Sequence, residues 1–264
     1  MSMILHGSIF SETLDLHTGI NVLIPEKRPP GGYKLAYLLH GLHGNCGTWL
    51  ANTMLPVYGK ERGAIFIMPE AGRSFYADMR YGLAWFTWIS EELPAICGEL
   101  FHLSAERADT AVIGCSMGGY GALKCALSRP ERYGFCGAIS PACLFVDEAL
   151  AELRKDPGAW REQDPGADAI LRDLYAIFGD ELRNGEGDVL LALARRAAAA
   201  PRKPAIYAAC GDADSFYQEN LRFGAEMEKL GLDYHFEGWS GAHDWYFFNE
   251  ALKRALDRWL GPAA

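Results

Sequence analysis

Residues 114–118 read GCSMG and place Ser116 at the centre of a G-x-S-x-G pattern. The apolar run TAVI precedes the pattern and the stretch YGALKCALS follows it, which predicts a tight turn between a strand and a helix. The residues two positions before and after the serine must be small in such a turn, because larger side chains would collide. Ser116 is therefore a candidate nucleophile. The alternative is a small residue in an ordinary strand-to-helix connection.

A serine hydroxyl is a weak nucleophile and needs a base to accept its proton and a third group to orient that base. Only two histidines follow Ser116 in the chain, His235 and His243. His235 lies within DYHFEG, whose alternation predicts a strand, so we interpret it as an ordinary strand residue. His243 lies in a glycine-containing loop between the last predicted strand and the last predicted helix, and we predict that it is the base.

Three aspartates are candidates for the group that orients the base. Asp212 and Asp214 follow the apolar run AIYAAC, at the carboxyl end of a predicted strand, where ligands bind in α/β proteins. The spacing does not separate the two, and either one is also compatible with a turn or a helix cap. Asp244 is a weaker candidate because the side chains of adjacent residues diverge from each other.

Acyl transfer also needs N–H donors that stabilise the oxyanion formed when the serine attacks. Such sites use the N–H of the residue after the nucleophile, here Met117, and a second N–H from the loop after the third strand. That loop is HGLHGN at residues 40–45, and the N–H of Leu42 is the predicted donor. A plain tight turn is the alternative. His40 and His43 have no evident third ligand, so we predict no metal and no cofactor.

Short apolar runs alternate with helical patterns along the chain, which predicts a mostly parallel sheet of about eight strands with helices on both faces. The segment 141–203 interrupts this alternation, because it lacks a clear strand and is rich in Asp, Arg and Ala. We interpret it as a helical insertion in a single domain, either a cap over the site or a solvated excursion. The predicted strands are 3–10, 20–25, 34–40, 64–69, 110–115, 135–140, 205–210 and 233–238, and the predicted helices are 90–101, 119–129, 220–231 and 249–261.

The composition excludes several classes of partner. The 264 residues are 50% hydrophobic and carry a formal net charge of −9 with no Lys/Arg cluster, which argues against nucleic acid or an anionic membrane as partner. No run approaches the ~18 apolar residues of a membrane span, and MSMILHGSIF lacks the features of a signal peptide. The seven cysteines are an odd count, so we expect free thiols in the cytoplasm. The oligomeric state, monomer or homo-oligomer, stays open.

Five segments together resemble the esterase D / tributyrin esterase-like family, which includes the S-formylglutathione hydrolases: YLLHGLHGNCGTWL, MPEAGRSFYADMRYGLAWFTWISEELP, VIGCSMGGYGALKCAL, CGDADSFYQEN and GAHDWYFFNEAL. The resemblance runs from about residue 35 to the C-terminus and is weakest over 141–203. It implies an α/β-hydrolase fold, and it selects Asp214 as the acid because the family's CGxxD motif ends on that residue. It also supports Ser116, His243 and the N–H groups of Leu42 and Met117. The chain departs from the family near Phe248, where relatives often have tryptophan.

The resemblance implies a serine carboxylesterase that hydrolyses short-chain acyl esters through an acyl-enzyme, with a small ester or thioester as its substrate. The alternatives are an S-formylglutathione hydrolase and a catalytically silent binding module, and an acyltransferase is disfavoured. The segment 74–88 is rich in aromatic residues, and its Trp85 and Trp88, together with Trp49, either wall an acyl pocket or pack in the core. Arg80 and Tyr81 are candidates for contacting the leaving group.

Overall fold

Eight strands form one sheet in the order β1-β2-β4-β3-β5-β6-β7-β8. The computed structural model describes residues 2–26, 29–30, 32–60, 62–101, 106–156, 158 and 167–262. Strands 1, 2 and 4 pair antiparallel and the remaining pairs are parallel, which confirms the predicted mostly parallel sheet. The strands are β1 (Met3–Ser11), β2 (Leu16–Ile24), β3 (Lys34–Leu39), β4 (Ala64–Pro69), β5 (Thr110–Cys115), β6 (Phe135–Ile139), β7 (Ala205–Gly211) and β8 (Tyr234–Trp239).

The central strands are buried on both faces, as their continuous apolar runs predict. Along β3, Leu35, Tyr37 and Leu39 join the hydrophobic cluster on one face of the sheet. The intervening Ala36 and Leu38 join the cluster on the other face. The period of two along a strand therefore supplies two cores from one sequence, and helices cover both.

The α-helices of the described ranges flank this sheet. They are α1 (Thr48–Asn52), α2 (Leu55–Gly59), α3 (Trp85–Thr87), α4 (Leu93–Phe101), α5 (Met117–Ser128), α6 (Val146–Lys155), α7 (Ala167–Phe178), α8 (Leu190–Ala199), α9 (Tyr217–Lys229) and α10 (Trp245–Leu260). A π-helical turn at Trp88–Glu92 precedes α4, where the sequence predicts a regular helix from residue 90. Helix α10 begins earlier than the predicted residue 249, because the Asp244 side chain caps it by accepting from the Phe247 N–H at 3.0 Å.

The segment between β6 and β7 contains the helices α6, α7 and α8. Residues 157 and 159–166 of the predicted insertion at 141–203 lie outside the described part of the chain. Helix α7 turns Leu171, Leu174 and Ile177 inward, so its inner face packs on the molecule. Over the ranges that the structure describes, no helix has the length and apolar character needed to cross a lipid bilayer.

Candidate active site

Ser116 lies on a strained turn between β5 and α5. Its backbone has φ 55° and ψ −124°, a region that residues other than glycine rarely adopt. A Cβ atom on Gly114 would lie 2.0 Å from the Gly118 carbonyl oxygen, and one on Gly118 would lie 2.2 Å from the Leu39 carbonyl oxygen. Both contacts are impossible for a larger residue, so the two glycines allow the chain to turn and present Ser116 at the end of the strand.

Three side chains from different parts of the chain form a hydrogen-bonded series at this point. The Nε2 atom of His243 lies 3.0 Å from the Ser116 Oγ. The Nδ1 atom of His243 lies 2.7 Å from the Asp214 Oδ2. The Asp214 side chain is fully buried, whereas 29% of the His243 side chain is exposed. The structure thus brings together the serine, the histidine and the aspartate that the sequence and the resemblance selected.

Asp214 is held as a carboxylate. Burial raises the pKa of Asp214, but hydrogen bonds from His243 and from the Phe216 N–H outweigh it, and the net pKa lies below the ordinary value of 3.8. Asp212 is exposed and accepts from the Gly241 N–H at 3.2 Å, which is a turn contact. Only Asp214 of these two carboxylates therefore contacts the imidazole.

Two backbone N–H groups at the pocket of Ser116 are candidates for binding an oxyanion. Leu42 and Met117 both line the pocket at Ser116. Within the described residues, neither N–H is engaged in a hydrogen bond. Met117 is the first residue of α5, where the helix dipole favours negative charge. An oxyanion between these two donors would be stabilised by both.

The loop that carries Leu42 is braced by His40 and Glu70, two residues to which the sequence analysis gave no role. His40 is fully buried, and its Nδ1 donates to the Gly41 carbonyl at 2.8 Å. Its Nε2 lies 3.2 Å from the Glu70 Oε1. Glu70 also accepts from the N–H groups of Cys46 at 3.2 Å and Gly72 at 2.8 Å, so one carboxylate links the loop to the end of β4.

Burial raises the pKa of Glu70, but the contact with His40 and the hydrogen bonds from the N–H groups of Gly72 and Cys46 lower it to about 2. Glu70 directly follows β4 at the carboxyl edge of the sheet. A polar residue at that position often lies near a ligand site, so this feature of the sequence could have identified Glu70 as a site residue.

A second brace connects the insertion to the same loop. The Lys124 Nζ donates to the Tyr76 carbonyl at 3.0 Å and to the Asp188 carboxylate at 2.6 Å. The Tyr76 hydroxyl donates to the His40 carbonyl at 2.9 Å. Phe75 and Tyr76 both have positive φ, so these contacts hold a strained turn in place. Lys124 is almost fully buried, so removing Asp188 would leave a buried charge without its carboxylate partner and destabilise the fold.

A cavity of about 460 Å³, called here the Ser116 pocket, opens at the serine. Its walls are mostly apolar and include Ile170 and Leu174 from α7. The described lining contains no Lys or Arg, and it contains one carboxylate, that of Asp244. The lining consists of Gly41, Leu42, His43, Gly44, Thr48, Phe75, Cys115, Ser116, Met117, Ala142, Cys143, Ile170, Leu174, Phe216, His243, Asp244, Trp245 and Phe248.

The structure corrects the prediction that Trp49, Trp85 and Trp88 wall the pocket. Trp49 and Trp88 are fully buried and Trp85 is 9% exposed, and none of the three belongs to the lining. Trp49 lies behind the wall, edge-on to Trp245 with 5.5 Å between the ring centroids. Large indole rings gain more from complete burial in the two cores than from a cavity wall.

The aromatic wall comes from other parts of the chain, namely Phe75, Phe216, Trp245 and Phe248. Phe248 stands at the position where the chain departs from its family pattern, and its ring lies edge-on to His243 at 5.0 Å. Arg80 and Tyr81, the candidates for contacting the leaving group, lie outside the described lining as well. Their N–H groups donate to the carbonyls of Ile177 and Ala176 at the end of α7, so their backbone helps to hold that helix.

The chain is similar to known proteins in both sequence and fold. The family model described as "Esterase: Putative esterase" matches residues 11–259. An acetyl esterase of Caldicellulosiruptor saccharolyticus is 27% identical over 273 residues, which cover 99% of this chain and 99% of that protein. The substrate-bound structure of the Staphylococcus aureus fluorophosphonate-binding serine hydrolase FphF matches with a TM-score of 0.82 at 27% identity and covers 98% of each chain. The S-formylglutathione hydrolase FrmB of Staphylococcus aureus matches with a TM-score of 0.78 at 27% identity, over 98% of this chain and 99% of that one.

The sheet, its flanking helices and these similarities define the protein as a serine hydrolase with the α/β-hydrolase fold. The chain belongs to the Esterase family, whose model spans nearly all of it. The resemblance seen in the sequence motifs is thereby confirmed at the level of the family and of the enzyme class.

Proposed function

We propose that the protein hydrolyses esters through an acyl-enzyme on Ser116. The observation that supports this most directly is the series Asp214–His243–Ser116, with contacts of 2.7 and 3.0 Å, in the pocket that the N–H-bearing residues Leu42 and Met117 also line. Ser116 Oγ attacks the ester carbonyl carbon while its proton passes to the Nε2 of His243. The N–H groups of Leu42 and Met117 bind the resulting oxyanion, and Asp214 holds the imidazole tautomer and stabilises the imidazolium.

The two halves of the reaction use the same groups. Collapse of the first oxyanion breaks the bond to the alcohol oxygen, which leaves with the proton from His243. A water molecule then gives its proton to His243 and attacks the acyl carbon. The second collapse returns that proton to Ser116 and releases the carboxylic acid. No redox step or cofactor enters this sequence.

We propose a small, uncharged acyl ester as the substrate. The Ser116 pocket, at about 460 Å³, lies toward the lower end of the range for small-molecule sites. Ile170, Leu174 and Phe75 offer apolar contacts to an acyl chain. The acetyl esterase relative is consistent with an acyl group of this size.

Thioester hydrolysis on S-formylglutathione is the second candidate, and the FrmB relative favours it. A thioester carbonyl suits the same groups, but the glutathione part carries two carboxylates. The described lining offers no cation to bind them, and Asp244 would repel them. We therefore place simple esters ahead of S-formylglutathione.

We further propose a single domain in which α6–α8 are an insertion that covers the pocket. Two residues of α7, Ile170 and Leu174, line the pocket and support this role. All seven cysteines are free thiols, which supports the cytoplasm as the location.

The experiment that tests the reaction is covalent labelling with a fluorophosphonate probe, followed by turnover of p-nitrophenyl esters of increasing chain length and of S-formylglutathione. We expect labelling of the wild type, no labelling of Ser116→Ala, and the highest kcat/KM for short neutral esters. An unlabelled wild type that turns over none of these compounds would instead indicate a silent binding module.

The variant Asp244→Asn tests the choice between ester and thioester, since asparagine keeps the cap of α10 and removes the charge. We expect its kcat/KM for S-formylglutathione to rise several-fold relative to that for p-nitrophenyl acetate. Asp212→Asn is the matched control, because Asp212 is exposed and lies outside the described lining. A wild type with higher kcat/KM on S-formylglutathione than on every ester would reverse our order of the two candidates.

A further inference from the structure

A second cavity, called here the Tyr246 groove, borders the Ser116 pocket. It has a volume of about 510 Å³ and lies between the end of α1, the start of α2 and the first turn of α10. No step of the proposed reaction uses it. The lining of the groove consists of Ala51, Asn52, Thr53, Met54, Trp245, Tyr246 and Asn249.

Two helices connect the groove to the pocket. On α10, Trp245 lines both cavities. On α1, Thr48 lines the pocket and Asn52 lines the groove, and the Asn52 Nδ2 donates to the Thr48 carbonyl at 2.9 Å. Four residues of helix cover about 6 Å along the axis. A molecule that reaches Thr48 from the pocket therefore needs only about 6 Å more to enter the groove.

The groove lies on the side of the pocket where the alcohol half of an ester must lie. His243 gives its proton to the leaving oxygen, so the alcohol departs beside the imidazole. Trp245 and Tyr246 follow His243 closely in the chain and lead from the pocket to the groove. The acyl chain is instead offered contacts by Ile170 and Leu174 on α7.

The walls of the groove are apolar and open to solvent. Tyr246 is 90% exposed and Met54 is 50% exposed, although both side chains are large. Exposed apolar surface of this kind beside a reaction pocket is typical of a binding site. The described lining of the groove contains no charged side chain, which favours an uncharged ligand. The rings of tyrosine and tryptophan and the thioether of methionine all bind favourably to an aromatic ring.

The groove is held in shape before a ligand arrives. The Asn249 Oδ1 accepts from the Met54 N–H at 2.8 Å, and the Asn249 Nδ2 donates to the Tyr58 hydroxyl at 3.0 Å. The Trp245 ring lies edge-on to Trp49, with 5.5 Å between the centroids. A ligand thus meets an ordered surface, so binding loses little conformational entropy in the protein.

We propose that the Tyr246 groove binds the leaving alcohol and selects alcohols that carry an uncharged aromatic ring one or two carbons from the ester oxygen. This inference rests on the proposed function, because it names the alcohol half of the ester that Ser116 cleaves. The ring contacts Met54, Trp245 and Tyr246. A phenyl ring on such a spacer reaches about 6–7 Å from the ester oxygen, which matches the distance between the two cavities.

The first test compares the wild type on ethyl, benzyl and cyclohexylmethyl acetate. All three esters give the same acetyl-enzyme, so differences in kcat/KM arise in the acylation step, while the alcohol is still bound. We expect benzyl acetate to exceed ethyl acetate by about tenfold and cyclohexylmethyl acetate by about threefold, since the ring contacts add to the burial of apolar area. A cyclohexylmethyl ester that matches or exceeds the benzyl ester would overturn the selection for an aromatic ring.

The second test assigns the effect to the groove. Tyr246→Ala should lower the ratio of kcat/KM for benzyl to that for ethyl acetate by about fivefold, whereas Tyr246→Phe should keep it, because the ring makes the contact. Tyr81→Ala is the matched control, since Tyr81 is a 55% exposed tyrosine outside the described lining of both cavities. Tyr246 is largely exposed, so its replacement should leave the fold intact.

The outcomes separate this subsite from the reaction itself. An enzyme that the fluorophosphonate probe labels and that cleaves the acetates, but whose benzyl-to-ethyl ratio is the same in Tyr246→Ala and the wild type, would overturn the subsite and leave the reaction standing. A ratio that falls equally in Tyr81→Ala would have the same meaning. An enzyme that is not labelled and cleaves no acetate would contradict the proposed function and, with it, the subsite.

Discussion

The carboxyl ends of the central strands and the helix α7 meet at the Ser116 pocket, but they are built differently. At the strand ends, backbone geometry dominates: Ser116 has a strained φ, and neither Gly114 nor Gly118 has room for a Cβ. Helix α7 instead contributes the ends of two aliphatic side chains, Ile170 and Leu174. The first region requires fixed atoms in fixed places, whereas the second requires only apolar bulk.

The difference indicates that the strand ends carry the reaction chemistry and that α7 affects the selectivity among acyl groups. Reaction chemistry depends on distances of about 3 Å, so it lies where backbone hydrogen bonds and steric exclusion fix the atoms. Selectivity among acyl groups depends on the volume that side chains leave open, and a helix between β6 and β7 can change that volume without moving the sheet. Substitutions at the strand ends should therefore affect kcat greatly, and substitutions on α7 should affect relative kcat/KM slightly.

The largest effect is expected from Ser116→Ala. Removing the nucleophile should lower kcat on p-nitrophenyl acetate by on the order of 10⁶-fold, with an unchanged circular dichroism spectrum. Ser215→Ala, in the exposed loop beside Asp214, is the control and should keep near-normal activity. Activity of Ser116→Ala within tenfold of the wild type would contradict the proposed mechanism.

Asp214→Asn should have the next largest effect. Asparagine keeps the size of the side chain but favours the wrong imidazole tautomer, so kcat should fall by about 10⁴-fold. Asp212→Asn should change kcat by less than about threefold, because Asp212 is exposed and contacts only a turn N–H. Equal losses in the two variants would show that the assignment of Asp214 is wrong.

Glu70→Gln tests whether the brace on the Leu42 loop matters for chemistry. Losing an oxyanion donor costs about 10²–10³-fold in kcat, and a loosened loop should cost less, about tenfold, with little change in KM. A change in KM alone, with normal kcat, would exclude a role for Glu70 in placing the Leu42 N–H.

The same variant has a predicted pH signature in stability. The pKa of Glu70 is lowered from 4.5 to about 2, so its carboxylate stabilises the fold fully above pH 4.5. That contribution, of about 3 kcal/mol, is lost as the pH falls from 4.5 to about 2. The difference in free energy of unfolding between wild type and Glu70→Gln should therefore shrink over that interval, as measured by urea unfolding. A difference that stays constant from pH 6 to 2 would contradict the lowered pKa.

The smallest effect is expected on α7. Leu174→Ala enlarges the Ser116 pocket, so the ratio of kcat/KM for hexanoate to that for acetate esters should rise by about three- to tenfold. Leu191→Ala on α8 is the control, because Leu191 lies outside the described lining. An unchanged ratio would show that α7 does not control the selectivity among acyl groups. The strand ends would then determine both the reaction chemistry and that selectivity.

The sequence was sufficient for the parts of the site that depend on local constraints. The G-x-S-x-G turn and its flanking runs located Ser116 because the steric demands of the turn appear directly as glycines. His243 followed from the order of elements, since only one later histidine lies in a loop. Asp214 needed the family resemblance, because two aspartates in one turn look alike until the burial of one and the exposure of the other are known.

The tryptophans show where sequence reasoning stopped. Trp49, Trp85 and Trp88 have the right chemistry for a pocket wall, but the two cores bury them. The walls come instead from residues that are far apart along the chain, such as Phe75, Ile170 and Phe248. Neither their number nor their spacing marks them out, and the same holds for His40 and Glu70.

The sequence by itself determined the succession of strands and the tight turn at Ser116, and it predicts His243 as the base, because each of these depends on residues that lie close together in the chain. The tertiary structure alone decided which side chains face the Ser116 pocket and which carboxylate braces the Leu42 loop. These properties depend on packing between segments that are distant in sequence, where burial and distance, rather than residue type, select the partner.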